Sequence, residues 1–450
     1  MTINLLGLDF ETFGTRDLTK VGLYNYMEDP KFTVLIAGTC DDYSGRGGAD
    51  EFLNFLDKPK ESREMLFDLL NESDEVAAHN AAFEAGVLRH LGAPKEFELK
   101  LVDSAVIASC QGAGRSLAQA SAQLLPINKM EEGKAFIKRF CLPHKDFDFE
   151  CPTMEQIRSD QDLASEWMTG IRYCELDAHL SASLVAKYGM SFREADYYRI
   201  TQSMNQLGWH VDIPAVQSMK RMYEENLEAT LADFQDQCDQ DQELNLNSLP
   251  QLKAWCAARG VRATSFDEKH VEKLLRSVDK KLRTIGAANP KYHQYWEVFR
   301  MLETKQALGG SSLKKLDTIL QQTGEDGLLR DQYLHCGAGQ TYRTTGRGVQ
   351  MQNLKRLSSL IDMSRLGDPH IAYTNEELAE NLRQVFTSRY ENGLLFVGDF
   401  SSVESRGLAY LAGEQWKLDA YAQGKDLYKV LASKIYGVDY DEITSDQRRT

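Results

Sequence analysis

Near its start the chain sets two carboxylates into an otherwise apolar strand, Leu5-Leu-Gly-Leu-Asp9-Phe-Glu11-Thr12. A strand alternates faces with period 2, so Asp9 and Glu11 share one face among apolar neighbours. Adjacent carboxylates repel, and burial strips each of its hydration; burying both makes sense mainly around a divalent cation. That strand opens a stretch, residues 1–185, that reads as α/β. Strand signals lie at Asn4–Phe10, Phe32–Cys40, Glu75–Ala78 and Lys100–Val102. Helical periodicity covers Ser62–Asn71, Ala82–Leu91, Ser116–Leu124 and Leu163–Tyr188.

A long helical region follows, from Ser191 to about Leu320, broken near Gly208 and by the polar run from Phe234 to Glu243. Within it Ser248 is predicted to cap a helix that carries Pro250 in its first turn and ends at Gly260. Leu334–Arg356 is a Gly/Thr/Gln/Arg segment without periodicity. Leu394–Phe400 reads as a buried strand and Val403–Leu411 as a helix stopped by Gly413. Thr444 and Gln447 form a capping box, so a helix is expected to start there and to be interrupted at Thr450.

Composition excludes some classes. At 450 residues roughly three domains are expected. No apolar run approaches the 18 or so residues of a membrane span, and MTINLLGLDFE reads as a strand, not a signal peptide. Eight cysteines without a CxxC pair read as reduced thiols of a cytoplasmic protein. The net charge of −15 taken alone argues against a nucleic-acid partner. Affinity for nucleic acid follows local phosphate contacts, however, and basic residues concentrate between Lys269 and Arg356.

Two further segments add chemistry to the acidic strand. Ala78-His79-Asn80-Ala-Ala-Phe83-Glu84 opens a helix after a strand. Tyr173-Cys-Glu-Leu-Asp177 puts Tyr173 and Asp177 one turn apart on one helix face. Singly, each is more often bland: edge charges, a cap at Asn80, a solvated Asp177. Their joint order and spacing resemble the DEDD-type 3′→5′ exonucleases, with Tyr173 marking the tyrosine subclass. The resemblance spans roughly residues 4–185 and implies an RNase H-like fold with two Mg²⁺ or Mn²⁺ ions per active site. It implies Asp9, Glu11, Glu84 and Asp177 as metal ligands, Tyr173 as the group orienting the attacking water, and Asn80 as a DNA contact. Glu84 stands where the family carries Asp. Asp103, in Leu101-Val-Asp-Ser, is a nearby acid that could share the role, with a helix cap as its plainer reading.

A second constellation lies downstream. Asp399-Phe-Ser-Ser-Val-Glu404-Ser-Arg406 resembles motif A of family A DNA polymerases. Thr345-Gly-Arg347 with Gln352-Asn353-Leu354, then Gly424-Lys-Asp426-Leu-Tyr428 and Gln447-Arg448-Arg449, resemble further landmarks of that family in the same order, in its bacteriophage type. The resemblance implies that Asp399 binds two metal ions and that Glu404 crowds the sugar C2′ against ribonucleotides. It implies that Arg347, Gln352 and Asn353 meet primer–template DNA, and that Asp426, Tyr428 and Arg448 line the nucleotide site. The domains expected are an exonuclease at 1–188, a helical thumb at 189–335, and the first part of a polymerase palm and fingers at 336–450.

The family's remaining finger helix and second palm acid have no counterpart in 1–450. The chain alone is therefore expected not to polymerise, and a C-terminal polymerase polypeptide or segment is the expected partner. DNA primer–template, single-stranded 3′ ends and dNTPs are the other expected partners, in the host cytoplasm if the gene is a phage's. The competing readings are a stand-alone 3′→5′ exonuclease with a helical DNA clamp, and a non-catalytic DNA-binding assembly subunit; the intact Asp9, Glu11 and Asp177 speak against the latter.

Overall fold

A computed structural model describes residues 3–41, 51–238, 244–308 and 312–449. Residues 239–243 of the polar run, and Thr450, lie outside the described residues. The chain divides into two compact units, Met1–Glu391 and Asn392–Thr450.

The first unit begins with a five-stranded sheet: β1 (Leu5–Phe13), β2 (Thr33–Cys40), β3 (Glu51–Asn54), β4 (Glu75–Ala78) and β5 (Leu101–Asp103). The strand order is β3-β2-β1-β4-β5. β1 runs antiparallel to β2 and parallel to β4; β2–β3 is antiparallel and β4–β5 parallel. The four sequence-predicted strands are present. β3 was not predicted, because an edge strand of four residues offers too short an alternation.

Alternation along β1 decides what each face meets. Leu6, Leu8 and Phe10 join Leu66, Leu70, Val87 and Leu88 in one core. Leu5 packs on the other face with Ala182 and Val185 of the helix Gln161–Tyr188. Each fully buried aliphatic or aromatic side chain of this kind stabilises the fold by about 1.5–3 kcal/mol. Asp9 and Glu11 follow the parity of Leu5 and so face the long helix.

The helical region comprises Phe192–Leu207, Ile213–Cys238, Leu249–Ala258, Glu268–Ile285, Tyr292–Leu308 and Lys315–Gln322. The expected break at Gly208 is real. Its φ is +64°, and a Cβ there would lie 2.8 Å from the Leu329 carbonyl oxygen. The chain then forms strand Trp209–Val211, sandwiched between Phe386–Thr387 and Leu328–Leu329. Ser248 occupies the expected cap position with Pro250 in the first turn, but its side chain makes no capping hydrogen bond.

In the second unit, helix Val403–Ala412 ends at Gly413 with φ +67°, as expected. The capping box at Thr444 is also formed: its N–H donates to Gln447 Oε1 (3.0 Å), and the Gln447 N–H donates to Thr444 Oγ1 (3.3 Å). The strand expected over Leu394–Phe400 is absent. These residues form no regular element, and Phe396 and Val397 are each 96% exposed. Periodicity marked them as core, but no described strand pairs with them and nothing in this unit buries them. No described helix is long and apolar enough to cross a membrane.

Candidate active site

Two glycines set how closely the long helix approaches the sheet. A Cβ on Gly7 would lie 2.4 Å from the Ala178 carbonyl oxygen, and one on Gly38 2.6 Å from the Cys174 carbonyl. Helix backbone therefore rests directly on β1 and β2, one residue away from Asp177 and from Tyr173. Asp9 pairs in register with Gly38, and Glu11 with Ile36. The tyrosine and the third acid thus meet the strand acids because no side chain stands between.

Glu84 arrives from the first turn of helix Ala82–His90. The turn before it holds Asn80 at φ +62°. The Asn80 N–H donates to Asp103 Oδ1 (3.0 Å), which also accepts from the Ala105 N–H (2.9 Å) and caps the helix Ser104–Cys110. Asp103 is thus the expected helix cap, committed to two backbone donors. His79 binds Ser104 Oγ and the Arg115 carbonyl oxygen, both at 2.9 Å, and burial holds its pKa down.

Asp9, Glu11, Asn80, Glu84, Tyr173 and Asp177 all line one cleft of about 650 Å³. Gln332, His335 and Arg347 of the same unit also line it. Arg347 donates through Nε to the Asp331 carbonyl oxygen (2.6 Å).

Electrostatics in the cleft are dominated by burial. Burial first, then the charges of Asp177, Glu11 and Glu84, push the Asp9 carboxyl well above the usual range. Burial takes Glu11 up to about 7, against a partial opposing effect from the Cys141 thiol, which donates to Glu11 Oε2 at 3.4 Å. Glu84 and Asp177 are likewise raised by burial, Asp177 being partly relieved by Lys129. Burial and the Asp177 charge raise Tyr173, whose hydroxyl reaches the Asp177 carboxylate, so it stays protonated.

Glu84 Oε2 and Asp177 Oδ1 are buried without a hydrogen-bond partner. Buried orphan carboxylate oxygens are costly unless something cationic satisfies them. An all-oxygen, multiply anionic donor set fits hard divalent cations such as Mg²⁺ or Mn²⁺. The tightest metal-capable set among the described residues lies elsewhere, where ligand atoms of Cys110, Glu194 and Cys336 fall within 4.8 Å of one another. The cleft acids stand wider apart, as ligands divided between two ions about 3.5–4 Å apart can. All eight cysteines are free thiols.

Sequence reasoning missed Lys129. It sits in the loop between helices Leu117–Leu124 and Gly133–Phe136, its Nζ 2.5 Å from Asp177 Oδ2 and 4.5 Å from the centre of the Tyr173 ring. No spacing rule marks a lone lysine in a loop; only the tertiary fold brings it here. Arg115, which donates to the His335 carbonyl oxygen (2.8 Å), also lines the cleft and was missed for the same reason.

Of the other downstream residues of the first unit, Gln352 and Asn353 do not line that cleft. Gln352 and Asn353 are exposed on a short 3₁₀ turn. In the second unit Asp399 and Glu404 are exposed. Asp426, Tyr428 and Arg448 do meet: Asp426 caps helix Leu427–Tyr436, accepts from Arg448 Nε (2.6 Å), and the guanidinium lies 5.5 Å from the Tyr428 ring centre.

The first unit combines a carboxylate-lined cleft and a mixed sheet with a helical region, and the second unit is helical. Residues 214–450 match the model of DNA polymerase family A, and the chain belongs to that family. It is 25% identical over 465 residues to the DNA polymerase of Bacillus phage SP02, an alignment covering 98% of this chain and 66% of the phage protein. A 135-residue stretch is 28% identical to DNA polymerase I of Mycobacterium tuberculosis H37Rv, covering 30% of this chain and 13% of that protein. The POL domain of Pol1 from M. smegmatis, solved with DNA primer-template and dNTP, shares the fold with a TM-score of 0.51 at 15% identity, over 99% of this chain and 66% of that one. The chain thus spans just under two thirds of the phage relative's length.

Proposed function

We propose that this chain is the proofreading part of a DNA-directed DNA polymerase, with a metal-dependent 3′→5′ exonuclease in residues 1–188, a thumb in 189–335 and the first part of palm and fingers in 336–450. The observation that carries it is the convergence of Asp9, Glu11, Glu84 and Asp177 with Tyr173 in one cleft, in a chain of polymerase family A. Asp9, Glu11, Glu84 and Asp177 would hold two Mg²⁺ or Mn²⁺ ions. Bound there, such ions supply an activated water and neutralise the attacking and leaving oxygens of a phosphodiester.

The chain's own residues do the rest. The neutral Tyr173 hydroxyl orients the attacking water without taking its proton. Asn80 and Arg347, which both line the cleft, contact the incoming strand end, Arg347 through its backbone phosphate. Asp399 is the polymerase metal ligand, Glu404 the group excluding a 2′-hydroxyl, Gln352 and Asn353 the primer–template contacts, and Asp426, Tyr428 and Arg448 the nucleotide-site group. The exposed apolar run from Leu394 to Phe400 supports a further polymerase segment that covers it.

A second reading, in which the exonuclease works by itself, is favoured by one observation: its acids are assembled, whereas Asp399 stands exposed. The test is digestion of 5′-labelled single-stranded DNA in Mg²⁺ or Mn²⁺. The parent should shorten the strand from its 3′ end, and Asp9→Ala should not. Equal digestion by both would refute the proposal, as would no digestion by the parent in either metal.

A further inference from the structure

Among the described residues Lys129 is the one lysine that lines the cleft, and its geometry is asymmetric in an informative way. Its ammonium holds Asp177 Oδ2 at 2.5 Å, while Asp177 Oδ1 is buried without a partner. One carboxylate oxygen is therefore fixed by the protein and the other is left for a ligand. The same ammonium stands 4.5 Å from the Tyr173 ring centre. Gly133 also packs on that ring, where a Cβ would come within 2.2 Å of two ring carbons. The loop that carries Lys129 thus ends against Tyr173, contacting it through both the ammonium and bare backbone.

We propose that Lys129 is a positioning residue of the exonuclease site: by holding Asp177 Oδ2 and the Tyr173 ring, it presents Asp177 Oδ1 to a divalent cation and the tyrosine hydroxyl to the attacking water. The inference rests on the exonuclease reading above. Partners that orient a ligating carboxylate typically contribute about 10–100-fold to metal affinity or activity when they are deleted. The alternative physics is competition: a cation bound to the acids could simply occupy the place of the metal. The free Oδ1 argues against that, because the ion pair and a metal can use different oxygens of Asp177. A third possibility is a solvated ion pair of no consequence, but the Lys129 side chain is only 22% exposed and that of Asp177 5%.

The three cases separate in Lys129→Met, with Lys129→Arg as the conservative partner. Two readouts are taken: Mn²⁺ affinity without DNA, by electron paramagnetic resonance of the free ion, and kcat and KM on single-stranded DNA. Lys129→Met should lose about 10–100-fold in Mn²⁺ affinity, in kcat or in both, with KM for DNA unchanged. Lys129→Arg, which keeps an ion pair with Oδ2, should recover part of the loss. Parental affinity and kcat in Lys129→Met would overturn the proposal. So would tighter Mn²⁺ binding in that variant, which identifies a competitor. A parent that neither binds Mn²⁺ nor digests DNA removes the exonuclease reading and this inference together; a working parent with an indifferent Lys129 removes the inference alone.

Discussion

Replacing Gly7 by alanine should slow the proposed exonuclease far more than its distance from any reacting atom suggests. The added Cβ would stand 2.4 Å from the Ala178 carbonyl oxygen, whereas ordinary contact begins at 3.4 Å. The obstacle is helix backbone, so no rotamer change relieves it, and the helix must lift by about 1 Å beside Asp177. A displacement of about 1 Å in a catalytic constellation can cost on the order of 100-fold in rate. Overpacking of this kind costs about 1–3 kcal/mol of stability, which leaves a multi-cluster core folded. The assay is kcat on 3′-labelled single-stranded DNA, measured below a melting temperature determined for each variant. Gly339→Ala, where nothing lies within 4 Å of the new Cβ, is the control. A folded Gly7→Ala variant with the parental kcat would show that close docking of the helix does not set the site.

Other outcomes follow from the same geometry. Glu84→Gln should reduce digestion by orders of magnitude, while Asp103→Asn should chiefly lower the melting temperature, because Asp103 serves two backbone donors; the reverse pattern in a rate-and-melting comparison would move the ligand to Asp103. Glu11 keeps its proton up to about pH 7 in the fold against an ordinary value of 4.5, so without divalent ions its contribution to stability is complete below 4.5 and lost as pH rises through 7. The melting temperature of Glu11→Gln in chelator should therefore gain on the parent between pH 5 and 8, and a pH-independent difference would contradict this burial. Phe396→Asp should leave melting unchanged, since the ring is 96% exposed, yet abolish primer extension in a mixture with a polypeptide carrying the rest of the palm and fingers; extension by that mixture at the parental rate would show that the apolar run is not covered.

The N-terminal sheet and its carboxylate cluster were legible because their information is local. Apolar runs with period 2 gave β1, β2, β4 and β5 close to their observed limits, and helical spacing placed Tyr173 beside Asp177 on one face. What β1 could not reveal was how the helix reaches it. Gly7 and Gly38 are silent in any propensity argument, and their meaning appears only when backbone carbonyls press on them. Lys129 and Arg115 join the cleft from loops, with no spacing to announce them. Leu394–Phe400 failed for the opposite reason: its pattern is that of a buried strand, but pattern records what a segment can bury, not whether a partner is present.

The central claim is that Asp9, Glu11, Glu84 and Asp177 hold divalent cations for phosphodiester hydrolysis. Its most direct test is a crystal structure of the chain with Mn²⁺ and a nucleoside monophosphate, with anomalous scattering used to place the ions. Two manganese sites are expected in the cleft, ligated by Asp9, Glu11, Glu84 and Asp177, with Asp177 using the oxygen that Lys129 leaves free and the phosphate lying beside Tyr173. Manganese found only outside the cleft, or a cleft that stays free of metal at saturating concentration, would contradict it.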